Sequence, residues 1–231
     1  MIIRIGCRPS RLALEQAQEI KALFPGVEFK LVTYETAGDK DKITPISEIE
    51  GSDFFTGELD QALLREEIDL AVHSSKDLPE SIPGGLSIAF ETASLSPFDA
   101  LVSRNRLKLK ALPAQSRVGT SSQRRKNQLR QSRPDLSIID IRGTIEERLA
   151  LLEGGKIDAL IVAYAALIRL GKEALAAEVF DTETFPGHPK QGSLSIVAKE
   201  EKWQKLKHAL SEAEGRVEGS ILWAQAPGTG N

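Results

Sequence analysis

The run Ile68-Asp69-Leu70-Ala71-Val72 is almost entirely apolar, the pattern of a strand buried on both faces rather than on one. Such a strand lies inside a parallel or mixed sheet with helices packed against it, which constrains the chain towards an α/β architecture. Ile157–Ala163 is a second run of the same kind. Around each, short apolar segments alternate with longer amphipathic ones. In the first series Ile2–Gly6 reads as a strand and Ser10–Leu23 as a helix, with Leu12, Ala13, Ala17, Ile20 and Leu23 at helical spacing. Val27–Tyr34 alternates as a strand, and a helix begins at Leu59 and ends near Glu67. The second series starts after Pro97, with strands at Ala100–Val102, Arg117–Gly119, Leu136–Ile141 and Ile157–Ala163. Its helices are expected at Ser121–Gln131, at Thr144–Leu152 and from Tyr164 to about Val179. Ser193–Ala198 reads as one more strand, Glu200–Trp223 as a helix, and residues 226–231 as a frayed tail.

A chain of 231 residues can form one large domain or two lobes of about a hundred residues each. Its 41% hydrophobic and 27% charged residues are those of a soluble globular protein, which excludes collagen-like, coiled-coil and disordered classes. A formal charge of −3 offers no global attraction to nucleic acid or to an anionic membrane, so any anion site must come from local clusters of arginine. The start, Met1-Ile2-Ile3-Arg4, is charged too early for a secretory signal, and no apolar run approaches the ~20 residues that span a bilayer. The expected location is the cytoplasm. Cys7 is the single cysteine, which leaves no internal disulfide, and His73, His188 and His208 have no metal-ligand spacing. No metal is expected, and His73 reads as a core or hinge histidine. Walker, nucleophile-elbow and dinucleotide motifs do not occur.

Ligands in open α/β sheets sit beyond the carboxyl ends of the strands, so those loops are where chemistry is sought. Asp69 to Pro79 delivers His73-Ser74-Ser75-Lys76-Asp77 from the end of a buried strand. An acid beside a lysine there can stabilise a cation and relay a proton. A turn with solvated charges explains the same residues. Gly119-Thr120-Ser121-Ser122-Gln123-Arg124-Arg125 joins a strand end to hydroxyls, a helix start and two arginines, which suits an anion. A serine N-cap followed by surface arginines is the plainer account. Arg142-Gly143 with Arg148 repeats the arrangement, and Arg8 and Arg169 also follow apolar strands. Each arginine alone reads as a solvated charge. The four segments placing arginine beyond a strand read together as a site for a ligand with several carboxylates.

The ordered set Ile5-Gly6-Cys7-Arg8-Pro9-Ser10-Arg11-Leu12-Ala13-Leu14, Asp69 to Pro79, Gly119 to Arg125, Arg142-Gly143 with Arg148, Arg169-Leu170-Gly171 and Gln191-Gly192 resembles the porphobilinogen deaminase (hydroxymethylbilane synthase) family from residue 2 to about residue 220. The resemblance implies two lobes of periplasmic-binding-protein type II architecture, with mixed sheets and an interlobe cleft. Lobe 1 would comprise 1–93 with 190–231, and lobe 2 would comprise 97–186. It implies a transferase of heme and tetrapyrrole biosynthesis that joins porphobilinogen units head to tail with release of ammonia. Asp77 matches the catalytic aspartate, expected to protonate the leaving amine and to stabilise cationic pyrrole intermediates. Arg8, Ser10, Ser74, Lys76, Thr120, Ser121, Ser122, Arg124, Arg125, Arg142, Gly143, Arg148 and Arg169 match positions that hold the carboxylates of substrate and cofactor.

The sequence departs from the family pattern in three places. The family's third domain, whose cysteine carries a dipyrromethane cofactor, is expected to be absent, since the chain stops at Asn231. A primer would then be held noncovalently, or not at all, or a separate protein would supply the missing domain. Ser52 and Gly57 stand where the glycine loop of lobe 1 normally carries lysines, and Phe98 stands where an arginine precedes the Asp-Ala pair. Cys7 is a speculative substitute attachment point, weighed against a small buried thiol. The alternative to an enzyme is a non-catalytic two-lobed binding protein for a pyrrole or another small carboxylate.

Overall fold

The computed structural model describes residues 2–41, 44, 52–213 and 221–223, the side chains of 212 and 213 aside. The chain divides into two compact units: unit 1 is Met1–Ala37, Gly51–Ser94 and Ser193–Asn231, and unit 2 is Gly38–Glu50 with Leu95–Gly192. The strands in chain order are β1 (Ile2–Cys7), β2 (Glu28–Thr33), β3 (Leu70–Ser74), β4 (Leu86–Thr92), β5 (Asp99–Ser103), β6 (Arg117–Gly119), β7 (Ser137–Ile139), β8 (Ala159–Ala163), β9 (Glu178–Val179), β10 (Leu194–Lys199) and β11 (Ile221–Trp223).

In unit 1 the strand order is β11-β4-β10-β3-β1-β2. The strand β1 runs parallel to β2 and β3, while β10 is antiparallel to both β3 and β4. Buried residues dominate β3 and β10 because both are central, and β2 at the edge alternates. Helices Arg11–Ala22, Gly57–Leu64 and Glu200–Ala213 supply apolar stripes to the sheet. One side of the core is aromatic: Trp203 and Trp223 stack at 5.9 Å, and Phe90 lies 5.3 Å from Trp223. Each such side chain contributes roughly 1.5–3 kcal/mol on burial.

Unit 2 has the order β7-β6-β8-β5-β9, with β6 parallel to β7 and β8, and β5 antiparallel to β8 and β9. Both β5 and β8 are buried along their whole length. Helices Gln123–Ser132, Ile145–Glu153 and Tyr164–Arg169 pack around them.

The two units use one register device. In unit 1 the Asp69 carboxylate accepts from the Arg4 amide at 2.8 Å and from its guanidinium at 2.9 and 2.6 Å, joining β1 to the start of β3. In unit 2 Asp158 does the same for Arg117, at 2.8, 3.0 and 2.9 Å, joining β6 to the start of β8. A bidentate pair at the amino ends of two parallel strands sets which residues leave together at their carboxyl ends.

Several expectations are corrected. The helix of unit 1 stops at Leu64, because Glu66 turns into the left-handed region (φ 61°), and the strand after it is Leu70–Ser74 rather than Ile68–Val72. The helix expected from Tyr164 to Val179 ends at Arg169, where Gly171 adopts φ 63°; a 3₁₀ turn and the edge strand β9 follow. Ile221–Trp223 is a strand on β4, not the end of a helix. Strand β4 had no counterpart in the sequence reading, since the half-buried Leu86–Thr92 neither alternates cleanly nor runs apolar. Asp41 and Thr44 lie with unit 2, the Arg142 guanidinium donating to the carbonyls of Thr44 at 2.5 Å and Asp41 at 2.9 Å. The expected frayed tail at 226–231 lies outside the described residues. Among the described residues no helix is long and apolar enough to cross a membrane.

Candidate active site

Because β1 and β3 are parallel neighbours, their carboxyl ends leave unit 1 at one edge, and this brings Arg8, Ser10, Ser74, Lys76 and Asp77 to that edge. Ser10 caps the helix Arg11–Ala22, its hydroxyl accepting from the Ala13 amide at 3.3 Å. Arg8 is half-buried and lies over the Phe55 ring, 4.6 Å from its centre. Ser74 is fixed by Gln16, whose amide donates to its hydroxyl at 2.8 Å. Directly after it, Ser75–Asp77 forms a 3₁₀ turn with Ser75 buried, Lys76 half-buried and Asp77 exposed. Pro79 keeps the turn from extending into a helix.

His73, on the same strand, is buried, and its Nε2 has no hydrogen-bond partner. Burial first, and the Arg8 charge second, push its pKa down to about 4. In the folded chain it therefore stays neutral where the unfolded chain takes up a proton below its ordinary value of 6.5. Stability attributable to this group is complete above pH 6.5, falls as pH drops towards about 4, and falls no further below that. The slope is up to about 1.4 kcal/mol per pH unit. Urea unfolding at pH 7, 6 and 5 checks this: a His73→Gln variant should show a flatter dependence, and an unchanged slope would refute the assignment.

Unit 2 presents its own edge. The parallel strands β7, β6 and β8 end together, so Thr120 to Arg125, Arg142 with Gly143 and Arg148, and the helix ending at Arg169 all emerge there. Thr120 is fully buried, its hydroxyl accepting from the Ser122 amide at 3.3 Å, and Ser121 is also buried. Ser122 caps the helix Gln123–Ser132 without a side-chain capping bond. Gly143 takes φ 97°, and a Cβ there would meet Glu147 Oε2 at 2.5 Å, which is the carboxylate that closes the Thr144 capping box. The Gly143 carbonyl accepts from Arg148 Nε at 2.9 Å, and Arg169 donates to the Gly192 carbonyl at 2.8 Å. Arg8, Arg124, Arg142, Arg148 and Arg169 remain half-buried at their edges.

Arg125 has a different setting from the one expected. Its guanidinium is buried and donates to Asp99 Oδ1 at 2.6 Å and to the Ile161 carbonyl at 3.3 Å. Arg124 takes the other oxygen, Oδ2, at 2.6 Å and also bonds the Pro186 carbonyl. Gln191 Nε2 adds a third donor to Asp99, at 3.0 Å, and bonds the Pro97 carbonyl at 2.9 Å. Burial alone would raise the Asp99 pKa, but Arg125 and Arg124 outweigh it and hold the carboxyl below its usual range. Arg125 is thus the counter-ion of a buried aspartate, and Asp99 is a site-forming residue that the sequence reading passed over. The signal was there: an aspartate opening the apolar strand Ala100-Leu101-Val102 needs a partner. Gln16 gave a similar signal, a polar residue on the apolar stripe of its helix.

Cys7 is fully buried, and burial pushes its thiol pKa up to about 11. Both properties are those of a packing thiol. A speculative attachment role would need an accessible thiolate, and this burial favours the small packing thiol instead. Reaction of the folded chain with a disulfide reagent at pH 8 should be at least about a hundredfold slower than in denaturant. Equal rates would restore the reactive reading.

Two α/β units with mixed sheets, each with a polar edge at the carboxyl ends of its parallel strands, define the class of two-lobed folds built like periplasmic binding proteins. A solved structure of a Bacillus subtilis lipoprotein described as methionine-binding shares this fold, with a TM-score of 0.52 over 97% of this chain and 98% of that one at 12% identity. The sequence model described as porphobilinogen deaminase, dipyromethane cofactor binding domain, matches residues 3–207. Porphobilinogen deaminase of Geotalea daltonii is 39% identical over 96% of this chain and 72% of its own length. That of Trichlorobacter lovleyi is 40% identical over 84% of this chain and 63% of its own length. The chain belongs to the porphobilinogen deaminase family.

Proposed function

We propose that this chain is a hydroxymethylbilane synthase-type transferase that condenses porphobilinogen with release of ammonia, in the cytoplasm and in the service of tetrapyrrole synthesis. The observation that carries the reading is Asp77, an exposed carboxylate on a turn anchored at the end of β3, next to Lys76 and on the same edge as Arg8. The substrate brings two carboxylates and an aminomethyl group, so its binding needs cations and its reaction needs an acid.

In this mechanism Arg124, Arg142, Arg148 and Arg169 pair with acetate and propionate groups, helped by the Ser121 and Ser122 hydroxyls and by the first amides of the helix Gln123–Ser132. Arg125 and Thr120 hold that wall in shape rather than bind directly. Asp77 bears on the reacting centre. Asp77 gives its proton to the amino group as the C–N bond breaks, so the electron pair leaves on nitrogen as ammonia, and the resulting carboxylate faces the cation that spreads over the pyrrole. A new C–C bond then forms, and the displaced α-proton passes to a carboxylate. The arginine set fits the carboxylates of a dipyrromethane, whereas Cys7 does not fit its thioether link. A dipyrromethane, when bound, supplies the growing end.

The reading is tested by porphyrin formation after porphobilinogen is incubated with the chain, acidified and oxidised. Product supports the enzyme. Tight binding of porphobilinogen without consumption would favour a binding protein, and consumption only after a second protein is added would place the primer on a partner.

A further inference from the structure

The turn that carries Lys76 and Asp77 is tied down through its first residue. The Ser75 amide donates to the Ser193 carbonyl at 3.1 Å. Its hydroxyl lies 2.8 Å from that of Ser195, which lies 2.5 Å from Glu91 Oε1. Ser75 is 2% exposed and Ser195 0%. A carboxylate only accepts, so the single proton of Ser195 goes to Glu91, and the Ser195 lone pair then receives the proton of Ser75. The hydroxyls therefore form a directed chain that ends on a charge, which strengthens each link.

Ser195 faces away from the apolar side of β10 that carries Leu194 and Ile196, and the sheet register sets it between two polar residues, His73 on β3 and Glu91 on β4. An alanine at 195 would leave the buried Ser75 hydroxyl and Glu91 Oε1 without this partner, and buried polar groups are costly unless bonded. The hydroxyl links the two antiparallel strands β4 and β10, whose register sets Ser195 opposite Glu91, to a turn that belongs to neither. A second tie runs beside it, the Leu194 amide donating to Thr92 Oγ1 at 3.0 Å.

We propose that Ser195 and Glu91 are positioning residues, which through Ser75 set where Lys76 and Asp77 stand. This rests on the reading of Asp77 as the proton-handling group. The experiment joins two readouts: amide hydrogen exchange over residues 75–78, and kcat against KM for porphobilinogen. Ser195→Ala should speed exchange in the turn by about tenfold without changing β1. It should lower kcat by about tenfold while KM stays within about twofold. Glu91→Leu should do the same, and Glu91→Gln, which keeps an acceptor, should restore most of both. Ser75→Ala combined with Ser195→Ala should be no slower than either alone. Unchanged exchange in the turn would overturn the proposal whatever the activity. So would faster exchange spread evenly over unit 1, which is the mark of lost packing. Should the wild type leave porphobilinogen unconsumed, the turn's exchange still decides the anchoring, and only the reading of Asp77 falls.

Discussion

Asp77→Ala is expected to lower porphyrin formation from porphobilinogen by about 10²–10⁴-fold, the usual worth of a positioned acid or base. The side chain is exposed at the end of a short turn, so its removal should leave stability within about 0.5 kcal/mol of wild type. That separation makes the variant informative. Asp77→Asn sharpens it further, since the amide keeps the size and one acceptor but carries neither the negative charge nor an exchangeable carboxyl proton. A fall in kcat with nearly constant KM for both variants would mark a group acting in the transition state rather than in binding. Wild-type turnover by Asp77→Asn would end the assignment and leave Arg8, Ser10, Ser74 and Lys76 as the polar contribution of this edge.

The second large effect concerns folding. Asp99→Ala leaves Arg125 buried without its counter-ion and strips Arg124 and Gln191 of a shared acceptor. Breaking a buried pair from one side costs about 3–5 kcal/mol, because the remaining charge stays out of water. For a chain of this length that is a fall in Tm of roughly 6–20 °C. Replacing the aspartate alone should therefore be worse than replacing Asp99 and Arg125 together with apolar residues of similar size, a comparison that thermal unfolding makes directly. Equal melting temperatures for Asp99→Ala and wild type would show that water reaches the guanidinium and that the cluster is no true core element.

Stability and chemistry thus divide the arginines that the sequence shows as one set. Arg4 and Arg117 clamp strand starts, the buried Arg125 neutralises Asp99 with Arg124 on its other oxygen, and Arg124 with Arg8, Arg142, Arg148 and Arg169 stands half-buried at the strand ends. Spacing along the chain could not make this division, since Arg124 and Arg125 are neighbours in sequence that share Asp99, yet one is half-buried and the other buried in unit 2. The same limit explains strand β4 and the helix that ends at Arg169. Half-buried segments have no clean period, and a glycine at left-handed φ looks like any other glycine until the chain is seen to turn there.

What the sequence determined by itself was the alternation of strands and helices, the central place of the apolar runs in β3 and β8, and the carboxyl-end loops as the seat of the polar residues. These follow from local period and burial, which are properties of a segment and its immediate neighbours. Only the tertiary structure decided that Asp99 is buried against two cations, that Cys7 is a closed thiol, and that Ser75, Ser195 and Glu91 form one line. Both links of the hydroxyl chain join residues more than a hundred positions apart, 120 and 104. Their existence depends on strand order and register, which pairing across the sheet sets and no single segment contains.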